Sequence, residues 1–436
     1  MSSTAPRPIL TAAAMRAAEQ AAIDAGTPVE TLIERAGAAL ALAVKRFVAP
    51  RETLILCGPG NNGADGRVAA HHLAAAGFAV RIATLDMLAD ADPAPILIDC
   101  LFGTGLKRGL EETVAQHLLR LVDSAHLAIA CDLPSGVSSD DGGLLSPVGK
   151  YDLTVAFGAL KPAHRLMPAM ARMGRIVLAD IGLEIPGDWF ELAAPALLAL
   201  NPAGHKYSRG LVHCLAGKMP GAIALAAHAA ARTGAGYVRV STSRSIDGLP
   251  AAIVQTDTAQ INDPRIGAIL VGPGLGDIPQ VLTLALTAAR PVVIDADAIG
   301  LIGEPERLVG HDAILTPHEG EFARLFGQLS GSKAERVLAA ASACQSVIVY
   351  KGPDTLVAAP DGRLAFAPPA PAWLATAGSG DVLAGMIAAL RAQGRAPFDA
   401  ACDAVWLHGR AAELAGPGMI ADDLLAAIPR AIADLV

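Results

Sequence analysis

Apolar positions along this chain change period repeatedly. Between Thr11 and Gly26 they recur at helical spacing, with Met15, Ala18, Ala22 and Ile23 on one face. Thr11 suits the N-cap of that helix and Gly26 its C-terminal stop. The spacing predicts a second helix over 29–47. An unbroken apolar run at 53–57 then suits a strand buried on both faces. Residues 58–66 read as a glycine- and asparagine-rich turn, and 67–76 as helix. Further strands are predicted at 80–85, 95–100 and 126–131, each set off by helix or turn. This alternation predicts a doubly wound α/β fold.

Residues 182–204 break the pattern. Gly182, Pro186, Gly187, Pro195, Pro202 and Gly204 punctuate the stretch, which reads as a connection between domains. Alternation then resumes, with strands predicted at 210–215, 238–241, 268–271, 291–295, 313–316 and 346–350. Helices are predicted between them, including 221–233 and 380–393. The expectation is two doubly wound domains, residues 1–200 and 201–436.

Composition agrees with that picture. Of the 436 residues, 53% are hydrophobic but only 4% aromatic, the surplus being alanine, which packs helices closely and favours α/β over a β-sandwich. The formal net charge of -8 comes without any basic block, so nucleic acid is not an expected partner and anions must be held locally. Cys57, Cys100, Cys131, Cys214, Cys344 and Cys402 form no C-x-x-C pair. They read as free thiols in a reducing cytosol, not as a disulfide frame or zinc site. No signal-peptide core or membrane span is expected. A cytoplasmic homo-oligomer acting on small molecules is.

Candidate chemistry lies at the predicted strand ends. Gly58-Pro59-Gly60-Asn61-Asn62-Gly63-Ala64-Asp65-Gly66 follows a strand and leads into a helix, where free amides favour a phosphate. The spacing is not G-x-G-x-x-G, so the usual dinucleotide fingerprint does not apply. Asp99 precedes the glycine loop Gly103-Thr104-Gly105, and Asp132 precedes Leu133-Pro134-Ser135-Gly136. Each alone could be a turn or cap residue. Together they favour one crevice beyond the strand ends.

These segments, with Ile33-Glu34-Arg35-Ala36-Gly37, resemble the NAD(P)H-hydrate epimerases over most of residues 10–180. Ala64 departs from the family's glycine, which requires a negative φ there. The resemblance implies that Asn61, Asn62, Gly63, Ala64 and Asp65, with Gly103, Thr104, Gly105, Leu106, Lys107, Arg108 and Gly109, hold the dinucleotide. It further implies a potassium ion on Asn62, Asp99 and Ser135, and Asp132 against the altered nicotinamide. A hydrated nicotinamide is a carbinolamine. Proton transfer can open its ring or expel water, so Asp132 is the candidate acid/base. Lys161 is a weaker candidate, as readily a surface lysine as a site residue.

The second half carries Ala375-Thr376-Ala377-Gly378-Ser379-Gly380-Asp381, glycines running straight into an apolar helix. Free amides at such a helix start can cradle a phosphoryl group, and Asp381 can accept the proton of an attacking hydroxyl. The pattern resembles the ribokinase-like superfamily and, more closely, the NAD(P)H-hydrate dehydratases. That likeness extends through Gly272-Pro273-Gly274-Leu275-Gly276, Asp295-Ala296-Asp297-Ala298 and Thr316-Pro317-His318-Glu319-Gly320-Glu321. Carried over by position, Ala222, Gly276, His318 and Asp381 contact the hydrated dinucleotide. Lys351, Gly352, Pro353, Asp354, Thr355 and Gly380 bind the nucleotide, ADP in preference to ATP, with Mg2+. A small-molecule kinase with a regulatory first domain is the rival reading, and a non-catalytic nucleotide-binding scaffold a weaker one.

Overall fold

The computed structural model describes residues 5–185, 187–196 and 202–435. The chain forms two compact units that divide between Trp189 and Phe190, not after residue 200, which itself lies outside the described residues, as do 186 and 197–201 of the expected connection. The reason is packing. Leu192 belongs to the second unit's core, its amide bonds to Phe366 O, and the Phe190 ring meets Phe398 edge-on at 6.2 Å.

In the first unit, helices α1 (Ala12–Asp24) and α2 (Val29–Phe47) precede the sheet. Its strands are β1 (Glu52–Cys57), β2 (Ala79–Ala83), β3 (Ile96–Cys100), β4 (Leu127–Cys131), β5 (Leu153–Phe157) and β6 (Arg175–Ala179). They lie in the order β2-β1-β3-β4-β5-β6, all parallel. The order reverses direction beside β1, so its strand end, with that of β3, forms the crevice where such sheets bind ligands.

One expectation is corrected here. Helix α3 spans Asn61–Ala75, so most of the expected 58–66 turn is helix. Glycine in that stretch serves close packing. A Cβ on Gly63 would lie 1.9 Å from Gly58 O, and one on Gly66 would lie 2.8 Å from Cys100 Cβ. Ala64 sits in the helix without positive φ, its amide bonded to Gly60 O, so its methyl is accommodated.

The second unit is a larger sheet. Its strands are β7 (Trp189–Glu191), β8 (Leu211–Leu215), β9 (Tyr237–Ser241), β10 (Ile253–Thr256), β11 (Ile266–Val271), β12 (Val292–Ile294), β13 (Ala313–Leu315), β14 (Val347–Tyr350), β15 (Leu356–Ala358) and β16 (Leu364–Phe366). They run β7-β16-β15-β14-β13-β12-β11-β8-β9-β10, parallel from β14 to β10 and antiparallel across β14-β15-β16. Helix α4 (Glu112–Ser124) lies in the first unit, and in the second α5 (Pro220–Arg232), α6 (Pro279–Thr287), α7 (Asp297–Gly300), α8 (Glu319–Phe326) and α9 (Lys333–Cys344) precede α10 (Ser379–Ala392), on which α5 packs. No helix among the described residues is long and apolar enough to cross a membrane.

The α5–α10 contact depends on a missing side chain, since a Cβ on Gly385 would lie 2.0 Å from Ala226 O. Gly385→Ala is expected to destabilise the second unit by about 1–3 kcal/mol. Denaturant unfolding checks this.

Candidate functional sites

A cavity of about 610 Å³ opens above the strand ends of the first unit. Asn61, Asn62, Asp65, Gly103, Thr104, Gly105, Leu106, Asp132 and Lys161 line it. Gly63, Ala64, Lys107, Arg108 and Gly109 are not among its wall residues. Gly63 is pressed against Gly58, and Gly109 is packed 2.6 Å (by its would-be Cβ) from Leu145 O. Met15, Arg16 and Glu19 of α1 reach the same cavity, which no local motif announced.

Asp132 is held in a strained position. Its φ is 65°, and Leu133 N closes a tight turn on Cys131 O at 2.8 Å. Its carboxylate takes the Lys161 ammonium at 2.5 Å, and that side chain is 1% exposed. Lys161 also donates to Phe157 O at 3.1 Å. His164 fixes the corner, since its Nε2–H donates to Asp132 O while its Nδ1 accepts from Lys161 N, both at 2.8 Å. Burial, with Lys161 beside it, holds His164 well below the usual imidazole range, which fits this neutral tautomer. Lys161 is therefore a buried partner of Asp132 and not a surface lysine.

Asp99 and Ser135 lie beneath the cavity floor, both buried. Asp99 accepts from Ser135 Oγ (2.8 Å), Ser135 N (2.9 Å), Leu101 N (3.1 Å) and Tyr151 OH (2.7 Å). Burial still pushes its pKa up. Phe102 N donates to Ser135 Oγ, and the Asn62 amide flanks Gly103, with its Nδ2 buried and unpartnered.

In the second unit the site forms where β11 to β14 end. Lys351 Nζ donates to Asp295 Oδ1 at 2.8 Å, and Thr316 Oγ1 donates to the same oxygen at 2.6 Å. Asp295 is fully buried and its Oδ2 has no partner. Burial pulls the Lys351 pKa down, but the charges of Asp295, Glu321 and Asp381 more than offset it. The ammonium stands 3.2 Å from where a Cβ on Gly380 would be, a close approach to the head of α10. There the first-turn amides of Gly380 and Asp381 precede the first intrahelical bond, Val382 N to Gly378 O. The Asp381 carboxyl makes no hydrogen bond or ion pair among the described residues. Burial, then the charge of Asp295, pushes its pKa up to about 7, against the pull of Lys351.

Other expected residues divide. Ala222 opens α5 beside Gly274, and Gly276 N donates to Asp297 Oδ2 at 2.8 Å. Ala296 between the two aspartates has a φ of 47°, another strained position at a strand end. His318 caps helix α8 (Glu319–Phe326): its Nδ1 accepts from Gly320 N and Glu321 N, and Glu321 returns a bond to its amide. Its ring is 61% exposed, which leaves Nε2 reachable. Asp354 is engaged by Lys333 at 2.5 Å, and Thr355 Oγ1 closes the turn on Gly352. In the 351–355 turn those two side chains are structural, which leaves Lys351 and the backbone to face a ligand.

Comparison with known proteins follows the same division. A family profile described as NAD(P)H-hydrate dehydratase matches residues 212–430. Another, described as YjeF-related protein N-terminus, matches 29–92 and 85–163. A Salinibacter ruber protein named bifunctional NAD(P)H-hydrate repair enzyme is 34% identical across 98% of this chain and 96% of its own. An Escherichia coli protein of the same name is 30% identical across 96% and 92%. Among solved structures, a ribokinase-like superfamily protein from Enterococcus faecalis aligns with a TM-score of 0.50 and 25% identity, over 55% of this chain and 92% of that one.

The buried pair in the first site yields a direct expectation. Lys161→Ala leaves Asp132 buried and uncompensated, and is expected to destabilise the first unit by about 3–5 kcal/mol. Urea unfolding measures this, and an unchanged midpoint would contradict the pairing.

Proposed function

This chain belongs to the bifunctional NAD(P)H-hydrate repair enzymes, and we propose how its two sites divide that repair. It is an epimerase and a dehydratase of NADH and NADPH hydrates. The first unit carries the epimerase and the second the dehydratase. The observation that supports the second assignment best is Asp381 at the open head of α10, with the Lys351 ammonium beside it.

Hydroxide is a poor leaving group, so dehydration needs the ring hydroxyl converted into a better one. Asp381 takes the hydroxyl proton, and the oxygen attacks the terminal phosphoryl group of ADP. The amides of Gly380 and Asp381, with Lys351, meet the charge that develops on that group, and AMP departs. The ring nitrogen then expels phosphate, and loss of the neighbouring proton restores dihydronicotinamide. Ala222, Gly276 and His318 hold the hydrated dinucleotide. ADP is the preferred donor over ATP. Mg2+ would be held by the nucleotide's phosphates and the carboxylates facing Lys351, where it would neutralise phosphate charge.

In the first unit Asp132 is the acid/base at the hydrated carbon, with Lys161 as its buried counter-charge. Asn61, Asn62, Asp65 and the loop from Gly103 hold the dinucleotide. Potassium fits the oxygen donors of Asp99, Ser135 and Asn62, because Asp99 is a buried carboxylate with no cationic side chain bonded to it. Its chemistry there would be charge compensation beneath the glycine loop. The dehydratase takes one configuration and the epimerase supplies it from the other, without channelling. Six free thiols suit a reducing cytoplasm, and a homo-oligomer completes the proposal.

Incubation of the full chain with hydrated NADH and ADP is expected to restore dihydronicotinamide absorbance and release phosphate. A stable phosphoester in its place would favour a kinase. Asp381 acts as a base, so the dehydration rate is expected to rise with pH through about 7. Asp381→Asn is expected to lower kcat by about 10²–10⁴-fold and remove that inflection. Rate against pH for both proteins decides it.

A further inference from the structure

The first cavity contains more carboxyl chemistry than one acid/base residue uses. Asp132, Asp65 and Glu19 all reach it, and its wall carries one lysine and one arginine, Lys161 and Arg16, among the described residues. Lys161 is committed to Asp132. Asp65, one turn beyond Asn61 on α3, is 8% exposed, and no described donor hydrogen-bonds to its carboxyl. Its remaining exposure opens onto the cavity. The polar partner of this carboxyl must therefore come from what occupies the cavity.

A carbinolamine ring that opens and recloses needs two proton sites in opposite states, one at the hydroxyl and one at the ring nitrogen. We propose that Asp65 is the general acid of epimerisation, serving the ring nitrogen while Asp132 serves the hydroxyl. This rests on the epimerase reading of the first unit. The hydroxyl proton passes to the Asp132 carboxylate, and the O–H electron pair becomes the second bond of a carbonyl. The ring C–N bond breaks, and its electron pair takes the proton of Asp65. The product is an open-chain aldehyde with a freed amine. Rotation about the bond that carries the aldehyde presents its other face to the nitrogen. Reversal of both transfers closes the ring in the inverted configuration. Both carboxyls end as they began, and no co-reactant is consumed.

The surroundings of Asp65 suit the donor role. Burial first, then the charges of Asp132 and Glu19, push its pKa up to about 8, while Lys161 opposes. Those groups, with Arg16 on α1 and the Cys100 and Cys131 thiols at the strand ends below, are the titratable and charged groups that face it. Asp132 faces the same cavity with its carboxyl oxygen Oδ1 bonded to Lys161. Two carboxyls in one cavity in opposite states are what concerted proton exchange requires.

The test uses the full chain without ADP or ATP, so that dehydration is idle. One purified epimer of hydrated NADH is followed chromatographically to the other, above the uncatalysed rate and across neutral to alkaline pH. The wild-type rate is expected to fall as pH rises through about 8. Asp65→Asn keeps size and polarity but cannot release a proton. It is expected to lose about 10²–10⁴-fold in kcat with KM nearly unchanged, and to lose the alkaline fall. Asp65→Glu is expected to recover part of kcat with the alkaline fall restored, which also serves if the Asn variant does not fold. Full kcat in Asp65→Asn, a change confined to KM, or an Asp65→Glu enzyme without the alkaline fall would overturn the proposal. Asp132→Asn separates the two levels of inference. If it epimerises like wild type, the reading of the whole site fails. If it is inactive while Asp65→Asn is active, the role of Asp65 alone fails.

Discussion

Both sites depend on one electrostatic constraint: a carboxylate taken out of water must be met by a charge or donor, or it keeps its proton. Each site supplies a single lysine for more than one carboxyl, buried in the first and half-buried in the second. In the first unit Lys161 closes on Asp132 at 2.5 Å, and Asp65 is left with a pKa of about 8. In the second unit Lys351 closes on Asp295 at 2.8 Å, and Asp381 is left with a pKa of about 7. A group poised near neutrality is what proton transfer at neutral pH needs. The lysine thus fixes one carboxylate and, by its commitment, leaves the other tunable.

This arrangement needs groups from several elements within a few ångströms, and small residues make that possible. Gly63 and Gly66 let α3 lie against β1 and β3, which brings Asn61 and Asp65 over the strand ends. Gly385 and the alanines of α5 let α10 approach just as closely, and the Lys351 ammonium comes close to Gly380 at the helix head. The alanine-rich, aromatic-poor composition is therefore tied to function as well as to packing. Bulkier helices would hold the amides and carboxylates too far from the charges they must meet.

How much of this was legible in the sequence follows from range. The strand-end residues Asp99, Asp132, Asp295 and Lys351 were readable because each directly follows a short apolar run, and parallel strands place such residues on one edge. The α3 boundary was not readable, because Gly63 and Gly66 look like turn residues until their packing partners, Gly58 and the distant Cys100, are known. Lys161 sits on an unremarkable loop. Its burial depends on the His164 cap and on the strained turn at Asp132, 29 residues earlier. Glu19 is on a helix whose pattern announces only its apolar face, and its polar edge meets the cavity through tertiary packing. His318 shows the opposite case. Its motif reads as a contact to the hydrated dinucleotide, and the capping box gives it a local structural task as well.

The unpaired carboxyls also bear on stability, and the sign is fixed by linkage. Asp65 and Asp381 have folded pKa values of about 8 and about 7, above the ordinary 3.8. Between 3.8 and those values the folded chain holds protons that the unfolded chain has released. Each group's contribution is therefore fully present below the ordinary carboxylate pKa and is lost as pH rises through the folded value. At neutral pH the fold carries two groups that would ionise more easily in the unfolded chain. Such groups persist where surrounding structure over-determines their position, as the strained φ angles at Asp132 and Ala296 also require. Extensive apolar burial around both sheets supplies the surplus that tolerates them. Catalytic poise in this chain is thus a local instability held in place by the dense packing of small side chains around it.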